Sequence, residues 1–137
     1  MSPKEEIEQT IQKFFHSMDV QDFDLMEEVI AQKENMVHIG TDTDEIWRGW
    51  SELSEATAEQ FENLKFYKAT IRELSIHLSD TGAVAWYSHL LDAKIKSATT
   101  VQTWKGARFT GVLENRDGNW QIVQTHVSIP ESHYTNT

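Results

Sequence analysis

His126, flanked at alternate positions by Gln124 and Ser128, is the residue of this sequence best suited to acid–base work. An imidazole in a dry pocket gives or takes a proton near neutral pH. Buried beside a suitable neighbour, it would instead simply tie strands together. Glu45 is the second candidate. It shares a strand face with Trp47 and is either a carboxylate at a pocket mouth or the ion-pair partner of Arg108 or Arg48. Partial burial would raise its pKa toward a useful range. Asp42 and Asp44 read as turn residues. Arg108 is either a bidentate clamp for a ligand carboxylate or an ion pair at an interface. Trp47, Trp86, Ser88, Phe109 and Gln124 complete the expected ligand-binding set around catalytic His126 and Glu45. Each aromatic taken singly fits an ordinary core, and the group together fits a pocket lining.

Other chemistries lack their residues. The chain has no cysteine, which removes disulfides, thiolate ligands and cysteine nucleophiles. His16, His38, His77, His89, His126 and His133 form no i, i+4 helical pair and no H-x-H pair, so no metal is expected. A phosphate-cradling glycine loop and a G-x-S-x-G elbow are both missing. No cofactor is expected.

The elements that must position these residues follow from periodicity. Ser2, Pro3 and Glu5 make a helix start, and Ile7, Ile11, Phe14, Phe15 and Met18 continue it as one apolar stripe. Asp22 caps a second helix with Phe23, Met26, Val29 and Ile30 on its buried face. Short strands are predicted over 36–40 and 45–48, around a turn at 41–44. A third helix follows Gly49, presenting Leu53, Ala56, Thr57, Phe61 and Leu64. The period then changes to two. Strands are predicted over 65–79, 83–96, 104–116 and 119–129, with a poorly marked turn in 97–103 and a hairpin at Asp117-Gly118. The tail 130–137 reads as polar and loose.

The expected fold class is therefore α+β: a curved antiparallel sheet wrapped around three N-terminal helices. Long strands in a small sheet must coil, and Gly106 and Gly111 would mark bulges that sharpen the curl. A two-residue turn at 117–118 puts Phe109, Leu113, Trp120, Ile122 and His126 on one face. Val112, Val123 and Val127 then share the other with Arg108, Thr110 and Thr125. A three-residue turn would put Arg108 and His126 on one side. The bulkier set should face the helices, and the valine–threonine face suits a subunit interface.

The chain of 137 residues suits one domain, with an ordered core over about 3–130. Twelve basic against 22 acidic side chains give a formal charge of −10. Such a surface repels phosphate backbones and anionic lipid, so neither nucleic acid nor membrane is an expected partner. The N-terminus lacks a secretory apolar run and nothing approaches a membrane span, so a cytoplasmic location is expected.

The run Arg108–Glu114, the segment Asp117-Gly118-Asn119-Trp120, His126-Val127-Ser128, the pair Ala85-Trp86, and Gly40-Thr41-Asp42 with Glu45, Trp47 and Gly49 together resemble the nuclear transport factor 2-like superfamily. Within it the resemblance is to SnoaL-like and ketosteroid-isomerase-related proteins. The last hairpin is also similar to the association domain of calcium/calmodulin-dependent protein kinases, whose pocket arginines fall at Ser88 and Gly111, neither of them basic. The resemblance implies a cone-shaped α+β barrel with a pocket between helices and concave sheet, commonly as a homodimer. It does not choose an activity. The isomerase set of a pocket carboxylate with a Tyr-plus-acid oxyanion site has no matching positions here.

Two readings follow. The first is a protein binding a small apolar or amphipathic molecule, with cofactor-free isomerase, cyclase or dehydratase chemistry at His126. The second is a non-catalytic module, dimeric through the outer sheet face, that binds a ligand or a protein.

Overall fold

The computed structural model describes residues 1–131; the tail expected to be loose and His133 lie wholly or partly outside that range. The first helix, α1, spans Pro3–Asp19. Ser2 and Glu5 form the reciprocal capping box that their spacing predicts. Ile7, Ile11 and Phe15 of its stripe are buried. Asp22 accepts a hydrogen bond from the Leu25 amide at 3.1 Å and so starts α2 (Phe23–Val29). The short strands β1 (Val37–Ile39) and β2 (Ile46–Arg48) precede α3 (Gly49–Asn63). Four long strands follow: β3 (Leu64–Leu78), β4 (Val84–Ser97), β5 (Val101–Arg116) and β6 (Asn119–Ser128).

All six strands form one sheet in the order β2-β1-β6-β5-β4-β3. The sheet is mixed rather than wholly antiparallel, because β1 runs parallel to β6. The chain leaving α2 is caught beside β6 by an Ala31 N–H to Ile122 C=O bond of 2.9 Å and a bridge between Ile30 and Ile122. That capture delivers β1 alongside β6 in the same direction. The β4–β5 turn falls at 97–100, and β5 begins three residues before its expected start at 104. No Gly, Pro, Asn or Asp marks this turn. The Ser97 hydroxyl makes it instead, accepting from the amides of Thr99 (3.4 Å) and Thr100 (3.1 Å).

The curl has local causes. The β3/β4 ladder shifts register between Arg72 and Ser75, where Glu73 adopts φ +55°. The β4/β5 ladder shifts opposite Asp92, where Gly106 adopts φ +69°. Asp92 holds both places together. Its carboxylate accepts two bonds from Arg72 (2.7 and 3.0 Å) and one from the Gly106 amide (2.8 Å). The β5/β6 ladder carries a third irregularity, the extra residue Val123 between the Leu113–Ile122 and Val112–Gln124 pairs. Such bulges bend a strand and raise its twist. Gly106 sits at a bulge as expected. Gly111 does not: it is regularly paired, and its bare Cα accommodates the Tyr87 ring, which an added Cβ would strike.

The concave face buries two apolar clusters. One joins Ile7, Ile11 and Phe15 of α1 to Leu91, Leu113 and Ile122 of the sheet. The other gathers Met26, Val29, Ile30, Met36 and Leu53. Phe14 and Met18 pack against both clusters, and a hollow remains between the helices and the sheet.

Candidate functional site

The hollow is a cavity of about 280 Å³, close to the lower end of ligand-pocket sizes. Phe14, Phe15 and Met18 of α1 and Leu91 and Phe109 of the sheet line it, with the Phe109 ring packed against Phe15 at 5.2 Å and Phe14 at 6.1 Å. Met26 and Ile30 also line it. Thr57, Gln60 and Asn63 of α3, Ser97 and Thr100 of the β4–β5 turn and Gln102 of β5 add neutral polar groups. The turn between β1 and β2 contributes Thr41, Asp42 and Glu45, and β2 contributes Trp47.

His38 is the polar residue of this cavity that stands out. It lies directly opposite Thr125 in the parallel β1/β6 pair, and both side chains turn inward. Its Nδ1 is 2.6 Å from the Thr125 hydroxyl oxygen. The residue is 3 % exposed and its Nε2 has no hydrogen-bond partner among the described residues. Burial pulls the imidazole pKa down to about 4, because the charged form loses its hydration. The ring is therefore neutral near pH 7. Either tautomer leaves one polar function open at Nε2: a lone pair when Nδ1–H donates to Thr125, an N–H when Thr125 donates to Nδ1. The sequence carried a signal for this residue that periodicity makes visible. Met36, His38 and Gly40 alternate, and Met36 is core, so His38 faces inward with it.

His126, by contrast, is exposed on the outer face, paired with Thr110 and Ile39. The two-residue turn at 117–118 is present, and Trp120 and Ile122 do face inward. Val123 then inserts its extra residue and reverses the alternation. Thr125 and Val127 point in; Gln124 and His126 point out. Arg108 is also exposed, its Nε donating to the Ser128 hydroxyl at 3.2 Å, and it pairs with neither Glu45 nor a cavity group. Trp86 and Ser88 lie on the same outer face, where Trp86 stacks on His77 at 6.0 Å. Five residues expected together in the pocket thus stand outside it: Trp86, Ser88, Arg108, Gln124 and His126.

Glu45, Trp47 and Phe109 do line the cavity. Glu45 is half-buried and closes its own turn: its Oε1 accepts the Asp42 amide at 2.8 Å and the Thr41 hydroxyl at 3.5 Å. It makes no ion pair with Arg48 or Arg108 among the described residues. Asp42 accepts the Thr43 amide at 2.7 Å, which is the turn chemistry expected of it. Tyr67, not singled out by the sequence, is buried and lines the cavity. Burial and then the charge of Asp19 raise its pKa, so the phenol stays protonated as a donor.

A second polar pair lies behind Phe109. His89 stacks on the Phe109 ring at 5.0 Å and on Tyr87 at 5.9 Å. Its Nδ1–H donates to the Leu90 carbonyl at 3.0 Å, and neither its Nε2 nor the Tyr87 hydroxyl has a partner among the described residues. Burial lowers the His89 pKa. Neither residue lines the cavity. Among the described residues no three His, Asp or Glu side chains gather in a way that holds a metal ion, and no helix is long and apolar enough to cross a membrane.

Comparison with known proteins agrees with this architecture. The profile of the SnoaL-like domain family matches residues 7–132. A nuclear transport factor 2-like superfamily protein from Salmonella enterica serovar Typhimurium superposes with a TM-score of 0.81 at 20% identity, over 98% of this chain and 95% of its own. A protein from Streptomyces avermitilis, whose name proposes a dehydratase of the nuclear transport factor 2-like family, gives 0.79 at 12% identity, over 92% and 94%. A Nostoc punctiforme protein of unknown function with a cystatin-like fold gives 0.72 at 16% identity, over 94% and 92%. At these identities the likeness is one of fold. No curated protein matches the sequence.

Proposed function

Because the chain belongs to the SnoaL-like domain family and its concave sheet leaves a hollow, we propose that it binds a small, largely apolar organic molecule between the helices and the sheet. The observation that carries this reading is His38, buried beside the cavity with Nε2 unpartnered. A buried polar atom without a partner costs about 1–3 kcal/mol. A ligand oxygen or hydroxyl would satisfy it. The neutral imidazole and the protonated Tyr67 phenol suit an uncharged polar function on an apolar body.

The test is a thermal-shift screen of small apolar and amphipathic metabolites, neutral and charged, against the protein and its Ala56→Trp variant. Ala56 lines the cavity from α3, so the indole would occupy ligand space. A ligand at about 100 times its Kd stabilises the native state by about 2.7 kcal/mol. The expected result is stabilisation of the wild type and none of the filled variant. Equal shifts in both, or no shift with any compound, would reject cavity binding.

The same pair supports cofactor-free proton transfer. His38 Nε2 would take a proton from a carbon beside a carbonyl, and the Tyr67 hydroxyl would hold the enolate oxygen. His38 then fills the role the sequence suggested for His126. Under this reading His38→Gln loses turnover while still binding the substrate.

The outer face supports self-association of this chain. Trp86 is 46 % exposed there, beside His77, Thr110 and Val112. A homodimer through this face would cover the indole, and Trp86→Glu would split it in sedimentation velocity. A wild type that sediments as a monomer at micromolar concentration removes this reading.

A further inference from the structure

The cavity is selective by charge as well as by shape. Among its described lining residues there is no lysine and no arginine. Its titratable groups are Asp42, Glu45, the neutral His38 and the protonated Tyr67. A carboxylate or phosphate entering it would shed its hydration with no cation to receive it, and would approach two carboxylates. An ammonium meets the opposite situation. Glu45 uses Oε1 to close the turn, and its Oε2 makes no hydrogen bond among the described residues. Trp47 of β2 and Trp104 of β5 line the same cavity. Carboxylates and indoles lining one cavity are groups from which a cation gains Coulomb and cation–π attraction. The net charge of −10 adds a field that draws cations in.

We infer that the preferred ligand is a cationic amphipath: an apolar body against Phe14, Met18 and Phe109, and a protonated amine at the Asp42–Glu45–Trp47 rim. This rests on the cavity-binding reading. His38, which lines the same cavity and is buried with Nε2 unpartnered among the described residues, is the observation beside the carboxylates that points to a ligand there. Anionic molecules of the same shape are rejected.

Tryptamine, tryptophol and indolepropionate test this as one series, since they share an indole body and carry charges of opposite sign or none at pH 7. Calorimetric titration should give tryptamine the lowest Kd, at least about tenfold below that of indolepropionate. Tryptophol should fall between them. In the Asp42→Asn/Glu45→Gln variant the order should collapse to within about threefold. Glutamine keeps an acceptor for the Asp42 amide, so the turn persists, and a circular dichroism melt checks it. Indolepropionate binding as tightly as tryptamine overturns the charge inference and leaves cavity binding standing. So does an amine preference that survives unchanged in a folded double variant. No binding by any member overturns both.

Discussion

His38 Nδ1 and Thr125 Oγ1 sit 2.6 Å apart on adjacent parallel strands, as the only hydrogen-bonded side-chain pair of the described residues in which both nitrogen and oxygen are buried at the cavity wall. The contact depends on two features of the chain. Ala31 and Ile122 bring β1 beside β6, and the extra residue Val123 turns Thr125 inward. It satisfies one ring nitrogen and leaves the other open.

Removing this pair should separate stability from binding. His38→Leu alone leaves the Thr125 hydroxyl buried without a partner and should cost about 1–3 kcal/mol in urea unfolding. His38→Leu with Thr125→Val removes both polar groups and should regain most of that loss. Ligand affinity should fall in both. A double variant as unstable as the single one would show that the pair itself is not the cause.

Acid should weaken the fold through the same ring. The native imidazole titrates near pH 4, whereas in the unfolded chain it titrates near its ordinary 6.5. Between these values the unfolded state binds the extra proton, so stability falls as pH falls. The loss totals about 3 kcal/mol and saturates below pH 4. His89, lowered in the same direction, adds to it. Urea unfolding at pH 7 and pH 4.5 should show a smaller difference in His38→Gln than in the wild type. Equal pH sensitivity in both would contradict the burial of a neutral ring.

Two glycines should fail for different reasons. Gly106→Ala forces a side chain into φ +69° and should cost about 1–2 kcal/mol. Gly111→Ala has ordinary backbone but drives a methyl into the buried Tyr87 ring, and should cost about 1–3 kcal/mol. Tyr87→Ala would make room, so Gly111→Ala should be nearly neutral on that background. Additive losses in that cycle would refute the steric account.

Much of the fold was readable from the residues, and the site much less so. The capping box at Ser2, the Asp22 cap and the Asp117-Gly118 turn all act locally, and each appears where its spacing places it. Phe109, Trp120 and Ile122 face inward as alternation requires. Val123 has no such signature: a valine bulge looks like any strand residue. Its insertion inverted every later assignment on β6, moving His126 and Gln124 outward and Thr125 inward. His38 alternates with Met36 and Gly40, which gives its face but not its partner. Its neighbour Thr125 is 87 residues away in sequence, so only the parallel β1/β6 pairing brings them together.

The methionine methyls give the most direct test of the central claim that the cavity is a ligand site. Met18 and Met26 line it, Met36 is buried in the neighbouring cluster, and Met1 is exposed. With carbon-13-labelled methionine methyls, titration with tryptamine should shift the Met18 and Met26 resonances in a saturable way and leave Met1 in place. Saturable binding that moves neither Met18 nor Met26 would contradict the account.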